Sequence, residues 1–180
     1  RAMTPEMEDP MREEILAAKA DGDSVGGIIR CVASGLPAGL GEPFFDTLDG
    51  EIAKAVFAVP GVKGIEFGAG FAASAMRGSE NNDSYRMADG AVRTETNNAG
   101  GILGGMANGA ELSFAVAFKP TPSIAKAQDS VDLFAGTDAE LAVRGRHDPC
   151  IAPRGAVVVE AMTIFVIADL LIRGGFACRN

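Results

Sequence analysis

Leu112-Ser113-Phe114-Ala115-Val116-Ala117-Phe118 is the stretch on which the fold turns. Bulky apolar residues alternate with small ones at a period of two, which predicts a β-strand. Its large face carries Leu112, Phe114, Val116 and Phe118, and its small face Ser113, Ala115 and Ala117. A face that bulky must be covered by a core, while the small face leaves room for a helix to press closely.

Two further strands are expected beside it. Ile28 to Ala33 places Ile29, Cys31 and Ala33 on one face and Ile28, Arg30 and Val32 on the other, and Val62 to Phe67 alternates in the same way. A hairpin is expected from Val131–Phe134, a turn Ala135–Asp138 and a second arm Leu141–Val143. Helices are expected at Pro5–Ala20, with Met7, Met11, Ile15 and Leu16 on one face, and after Asp46 as a cap, with Leu48, Ile52, Ala55 and Val56 on one face and an end before Pro60. A last helix, Gly155 to Ile172, reads as buried in the core: Glu160 and Asp169 interrupt it and Arg154 and Arg173 flank it, which argues against a membrane span.

The composition narrows the classes of function. The 180 residues suffice for one core, and no composition shift or linker divides them. A formal charge of -8 argues against general binding to nucleic acid or to anionic membranes, so any anionic ligand must be captured by a local cluster of cations. His147 is the only histidine, which excludes a His-rich metal site and any mechanism needing two imidazoles from this chain; no metal is expected. Cys31, Cys150 and Cys178 form no CxxC pair, and a reducing cytoplasm is the simpler setting. The chain opens on Arg1, not Met, without a signal peptide, as a piece of a longer protein would.

Three loops carry the chemistry. Asn97-Asn98-Ala99-Gly100-Gly101-Ile102-Leu103-Gly104-Gly105 has two glycine pairs, which either bring backbone N–H groups close to a phosphate or a planar ring or simply make a tight double turn. Lys119-Pro120-Thr121-Pro122-Ser123 leaves the best strand as a stiffened loop with one cation and two hydroxyls, a set that suits phosphate. Arg144-Gly145-Arg146-His147-Asp148-Pro149-Cys150-Ile151-Ala152-Pro153-Arg154 gathers three arginines, the histidine and an aspartate ahead of a helix N-terminus, where anions are favoured.

Taken together, Gly145–Cys150 followed by Glu160-Ala161-Met162, Ala99–Gly105 and Lys119-Pro120-Thr121 resemble the chorismate synthase family. So do Gly22-Asp23-Ser24, Pro37–Pro43 and Gly61–Glu66, in the family's order, so the likeness covers Gly22 to Ile172. The resemblance implies an α+β fold with helices layered between antiparallel sheets, of which residues 1–180 would be the C-terminal portion of a single domain. It implies a lyase that converts 5-enolpyruvylshikimate 3-phosphate to chorismate and phosphate with reduced FMN, in a cytoplasmic homotetramer; NADPH serves as flavin reductant in some members. Gly104, Lys119, Pro120, Thr121, Pro122, Ser123 and Arg146 match FMN contacts of the family, and Asp148 matches an aspartate that assists proton removal. A further FMN contact falls where this chain has Pro60-Gly61 in place of Asn-Ala, and it is not carried over. The family's N-terminal portion, with a Gly-Ser-His-Gly-type motif, an Arg-rich segment and two catalytic histidines, has no counterpart here, so the chain by itself is expected to be inactive. The competing expectations are a non-catalytic flavin- or phosphate-binding module and a structural oligomerisation piece.

Overall fold

The computed structural model describes residues 2–176, so Cys178 lies outside the described residues. The elements are α1 (Pro5–Ala20), β1 (Gly27–Ala33), α2 (Leu48–Phe57), β2 (Val62–Phe67), a 3-10 turn (Gly70–Ala75), α3 (Gly78–Asn81), β3 (Tyr85–Ala88), β4 (Ala91–Thr94), β5 (Ile102–Leu103), β6 (Met106–Ala107), β7 (Leu112–Phe118), β8 (Gln128–Asp132), β9 (Thr137–Leu141) and α4 (Ala152–Arg173). This is a mixed α+β arrangement with antiparallel sheets.

β7 is the middle strand of a three-stranded sheet, ordered β1-β7-β2 and antiparallel on both sides. Its large face is buried as the alternation predicts, and the register puts Cys31 and Phe67 opposite Phe114 and Ile29 and Ile65 opposite Val116. The Phe67 and Phe114 rings lie 5.4 Å apart at a tilt. Both α2 and α4 pack on this large face. Leu48, Ile52 and Val56 of α2 and Val159, Val166 and Leu170 of α4 complete one cluster with Leu112, Val116 and Phe118.

The expectation for the small face is not met. The helices seek the side with apolar area to bury, because burial is worth roughly 25 cal/mol per Å² and alanines offer little of it. The opposite side, with Ile28, Val32 and Ala117, stays open among the described residues. The close helix contact comes instead from Gly155 within α4, where a Cβ would stand 2.7 Å from Cζ of Phe118.

Several sequence expectations shift. The cap of α2 is Thr47, whose Oγ1 accepts from the Gly50 amide at 3.2 Å, while Asp46 instead pairs with Arg173. The hairpin arms are β8 and β9, paired from Gln128↔Leu141 to Asp132↔Thr137, with the turn at 133–136 and not 135–138. Asp132 decides this by accepting from the amides of Phe134 and Ala135, closing the chain right after its own position. α1 has the expected bounds but buries no residue.

α4 is longer than expected and only half covered. Gly155, Val159, Thr163, Val166 and Leu170 are buried, whereas Val157, Ile164, Phe165 and Ile172 are exposed. Its most apolar 18-residue window has a mean hydropathy of 2.2, so the helix is long and apolar enough to cross a membrane by length and composition alone, a test that the core helix of a soluble protein also passes. What the described structure shows is one face seated on the sheet. Thr163 lies there, with its hydroxyl donating to the Val159 carbonyl at 2.7 Å, and burial beside it pushes the Cys31 thiol up.

The segment between β2 and β7 forms a second, small hairpin, β3–β4, turned at Asp89-Gly90 with both residues at positive φ. An Asp-Gly pair between short strands is the signal that could have predicted it.

Candidate anion-binding cleft

The loop after β7 and the loop before α4 meet. Together with Lys19 and the turn Gly22–Ser24 they line a cleft of about 290 Å³, walled by Ser123, Ile124, Ala125, Gly145, Arg146, His147, Asp148 and Pro149. Segments more than a hundred residues apart come together because β1 and β7 are paired: Gly27, at the start of β1, faces Phe118, at the end of β7. Whatever precedes β1 therefore lies beside whatever follows β7. The loop before α4 arrives through Pro149, whose carbonyl accepts from the Val25 amide at 2.8 Å, and Cys150, whose thiol donates to the Gly26 carbonyl at 3.7 Å.

The expected site residues are distributed unevenly. Ser123, Arg146 and Asp148 line the cleft, while Lys119, Pro120 and Pro122 are exposed and outside its wall. Lys119 is anchored through its amide to the Gly61 carbonyl at 2.9 Å. Thr121 is half-buried; its carbonyl accepts from Ser24 Oγ at 2.7 Å, and its own Oγ1 is buried without a partner. Gly104 is elsewhere, in the β5–β6 turn, where Gly105 takes the Leu48 amide at 2.8 Å. That is the N-terminal end of α2, whereas Gly61 and Lys119 lie beyond its C-terminal end. Ten helical residues, about 15 Å of rise, separate the two places.

Asp148 is held from the helix that follows it and not by its neighbours in sequence. Its Oδ2 is held by Arg154 in the first turn of α4, and neither Arg146 nor His147 bonds to it. Oδ1 makes no hydrogen bond among the described residues. His147 is half-buried and its Nε2 has no partner. Burying such an atom unpaired costs about 1–3 kcal/mol; His147, in the cleft wall, is where a polar ligand would offset it, while Thr121 lies outside that wall.

Sequence reasoning missed Lys19 and the working role of the Asp21–Val25 turn. Lys19 closes the last turn of α1, and among the described residues it joins no ion pair. Asp23 is held below the usual carboxylate range by the Ser24 amide and then by Lys126, which itself is raised by Asp21 and Asp23. The Gly22-Asp23-Ser24 triplet was legible as part of a pattern, but not as the piece that touches the other two loops.

Around Gly100 and Gly101 the glycine loop packs against the chain's own backbone. Asn97 Nδ2 donates to the Glu111 carbonyl at 2.7 Å, while its Oδ1 is buried without a partner, and Asn98 Nδ2 lies 3.2 Å from the carbonyls of Glu80 and Asn81. A Cβ on Gly101 would stand 2.5 Å from the Glu111 carbonyl oxygen, at a φ of +83° that a side chain rarely adopts. The neighbour of that glycine is backbone, not ligand. Gly104 alone of this loop's four glycines meets nothing within 4 Å.

In this mixed α+β fold the cleft wall gathers Lys19, Arg146, the Ser123 hydroxyl, His147 and the Asp148 carboxylate, a set with the chemistry to take an anionic group. The chorismate synthase family model matches residues 1–172, and the chain belongs to that family of enzymes. It is 55% identical over 165 residues to the chorismate synthase of Dehalococcoides mccartyi, covering 92% of this chain and 45% of that protein. It is 53% identical over 176 residues to that of Methanosarcina mazei, covering 98% and 48%. A crystal structure of chorismate synthase superposes with a TM-score of 0.75 at 30% identity, over 94% of this chain and 44% of that one. The chain thus spans a little under half the length of these relatives.

Proposed function

We propose that the chain supplies part of the active site of a lyase that eliminates phosphate from 5-enolpyruvylshikimate 3-phosphate to give chorismate, the last step of the shikimate pathway to the aromatic amino acids. The observation that carries this reading is the convergence of Ser123–Ala125 and the Gly145–Pro149 loop on one cleft, in a chain of the chorismate synthase family. The donor set fits a phosphate: Arg146 and Lys19 supply charge, Ser123 a hydroxyl, and the unpartnered His147 Nε2 a further hydrogen bond. The same set suits reduced FMN, which the Lys119–Ser123 loop and Arg146 would hold, with Gly104 contributing from the far end of α2. When bound, the reduced flavin supplies electron density that returns once the elimination is over.

The chain's own residues do the rest. Arg146 and Lys19 stabilise the negative charge that grows on the departing phosphate, an effect strongest where water is thinned by the cleft walls. Asp148 accepts a proton at Oδ1 while Arg154 fixes its other oxygen, which keeps the carboxylate oriented. Pro120, Pro122 and Pro149 limit how far the two loops can drift. Residues 1–180 form the C-terminal portion of a single domain in this reading, in a cytoplasmic homotetramer that takes NADPH as flavin reductant where a reductase activity exists. The remaining portion carries the family's catalytic histidines, so the 180 residues alone make no chorismate.

The test uses the complete polypeptide that carries this chain, with reduced FMN and 5-enolpyruvylshikimate 3-phosphate under anaerobic conditions. Chorismate forms, and Asp148→Asn lowers kcat by about 100-fold, the scale of a lost acid–base group, without weakening FMN binding. Unchanged turnover in that variant removes Asp148 from the mechanism. Absence of chorismate from the wild-type polypeptide removes the whole reading, as does chorismate made by residues 1–180 alone for the claim of incompleteness.

A further inference from the structure

We infer that the turn Asp21–Val25 is the buckle that sets the spacing between the two cleft loops, and that Ser24 and Lys126 are its positioning residues. The inference deepens the proposed function and rests on it for the identity of the ligand. None of these residues belongs to the contacts that the family resemblance implies.

Adjacent residues of the turn hold opposite walls of the cleft. Ser24 Oγ donates to the Thr121 carbonyl at 2.7 Å, and the Val25 amide donates to the Pro149 carbonyl at 2.8 Å. The two anchors are therefore neighbours on one stretch of chain, and the loops are also joined directly by the Val143 amide donating to the Ile124 carbonyl at 3.1 Å. A slip of either loop against the turn has to break one of the turn's bonds. The turn is itself fastened from below: the Gly22 carbonyl accepts from the amides of Ala125 and Lys126 at 2.9 and 3.2 Å, and Lys126 Nζ reaches back to Asp21 and, at 3.0 Å, to Asp23. Asp23 Oδ1 accepts from the Ser24 amide at 2.8 Å, so the circuit from Lys126 through Asp23 to Ser24 and Thr121 is closed by hydrogen bonds throughout.

The buckle explains which atoms stay unpartnered. Ser24 takes the carbonyl of Thr121 and leaves that residue's hydroxyl buried and free, and the Val25 bond falls two residues past His147, whose Nε2 is also free. Both residues are thus anchored through carbonyls of their loops, Thr121 just before the wall at Ser123 and His147 in the wall itself, by bonds that do not consume those atoms. Ser24 has its proton committed to Thr121, so it acts through that loop and not on the ligand. Lys126 has its charge committed to two aspartates and acts through the turn.

The experiment uses the complete polypeptide, with FMN as probe and hydrogen exchange as an independent readout. Ser24→Ala weakens FMN binding about fivefold, the value of one neutral hydrogen bond, and Ser24→Thr, which keeps the hydroxyl, restores it. Amides of 119–126 and 143–150 exchange faster in Ser24→Ala, while those of β1, β7 and β2 do not change. Lys126→Met gives the same pattern in the same loops, and it reads the buckle even where Ser24→Ala fails to fold. Unchanged exchange in the two loops overturns the inference, and so does an affinity loss that Ser24→Thr leaves in place. Wild-type protein that binds no FMN overturns the proposed function instead, while the exchange pattern still decides the buckle.

Discussion

The two ends of α2 are held by different kinds of contact. At its N-terminal end, the Gly100–Gly105 loop is locked by backbone: the Leu48 amide to Gly105, Ser113 to Gly100, Asn108 to Gly101, each at 2.8 to 3.0 Å. Beyond its C-terminal end, the cleft loops are held by side chains and single amides from the Asp21–Val25 turn, and polar atoms remain unpaired. Both ends keep unpaired buried atoms, Asn97 Oδ1 and Asn108 Nδ2 beside the first and Thr121 Oγ1 and His147 Nε2 by the second, so what separates them is the density of backbone bonds. Backbone packed on backbone marks a frame, while loops hung on a few bonds around a cleft mark a place for a ligand.

The contrast breaks most visibly at the frame. Gly101→Ala should cost about 3 kcal/mol or more, because a Cβ there meets the Glu111 backbone and the residue must keep a positive φ. Thermal unfolding of the complete polypeptide checks this; a loss below about 1 kcal/mol would show that the loop gives way and is no frame.

A second test concerns how the frame is fastened to the β3–β4 hairpin. Burial opposes the charge of Asp83, but the Thr96 hydroxyl and the amides of Ala99 and Asn98 outweigh it and hold its carboxyl below the usual range. A lowered carboxyl stabilises the fold above its unfolded value of about 3.9 and loses that contribution as pH falls through the lower, folded value. Asp83→Ala should therefore cost about 2 kcal/mol near neutral pH, discounted for its partial exposure, and less at strongly acid pH, where the charge-dependent part is gone. Denaturant unfolding across that range reads the difference; a cost independent of pH would mean that the charge plays no part.

The smallest effect is expected at the glycine that sits in the frame but faces open space. Gly104→Ala should cost only about 1 kcal/mol, for the positive φ alone, since no atom lies within 4 Å of its Cβ position. Comparing its thermal midpoint with that of Gly101→Ala measures how far the two glycines differ in kind. If Gly104→Ala weakens FMN binding more than it lowers stability, the far end of α2 takes part in the site after all.

Much of this was readable in the chain. The alternation of Leu112–Phe118 foretold the central strand and which face it buries, because period two leaves no other assignment of those four large residues. The motifs Lys119–Ser123 and Gly145–Cys150 pointed to anion chemistry, because cations, hydroxyls and prolines in short loops have few other uses. The partners did not show. That Arg154 and not His147 holds Asp148, and that Lys19 and not Lys119 faces the cleft, depend on contacts between segments far apart in sequence. The purpose of the glycines was also hidden: composition says that Cβ atoms are absent, not whether the space is filled by a ligand or by the chain.

By itself, then, the sequence determined the central sheet strands, the three long helices, the buried face and the family, since periodicity and motif are local properties of neighbouring residues. Only the tertiary structure decided which loops meet, through the antiparallel register that sets Gly27 against Phe118 and so brings Ser24 to Thr121. The same register left α4 with one face seated and the other exposed, which no hydrophobic count of its 22 residues distinguishes, because burial depends on what the fold places opposite each side chain.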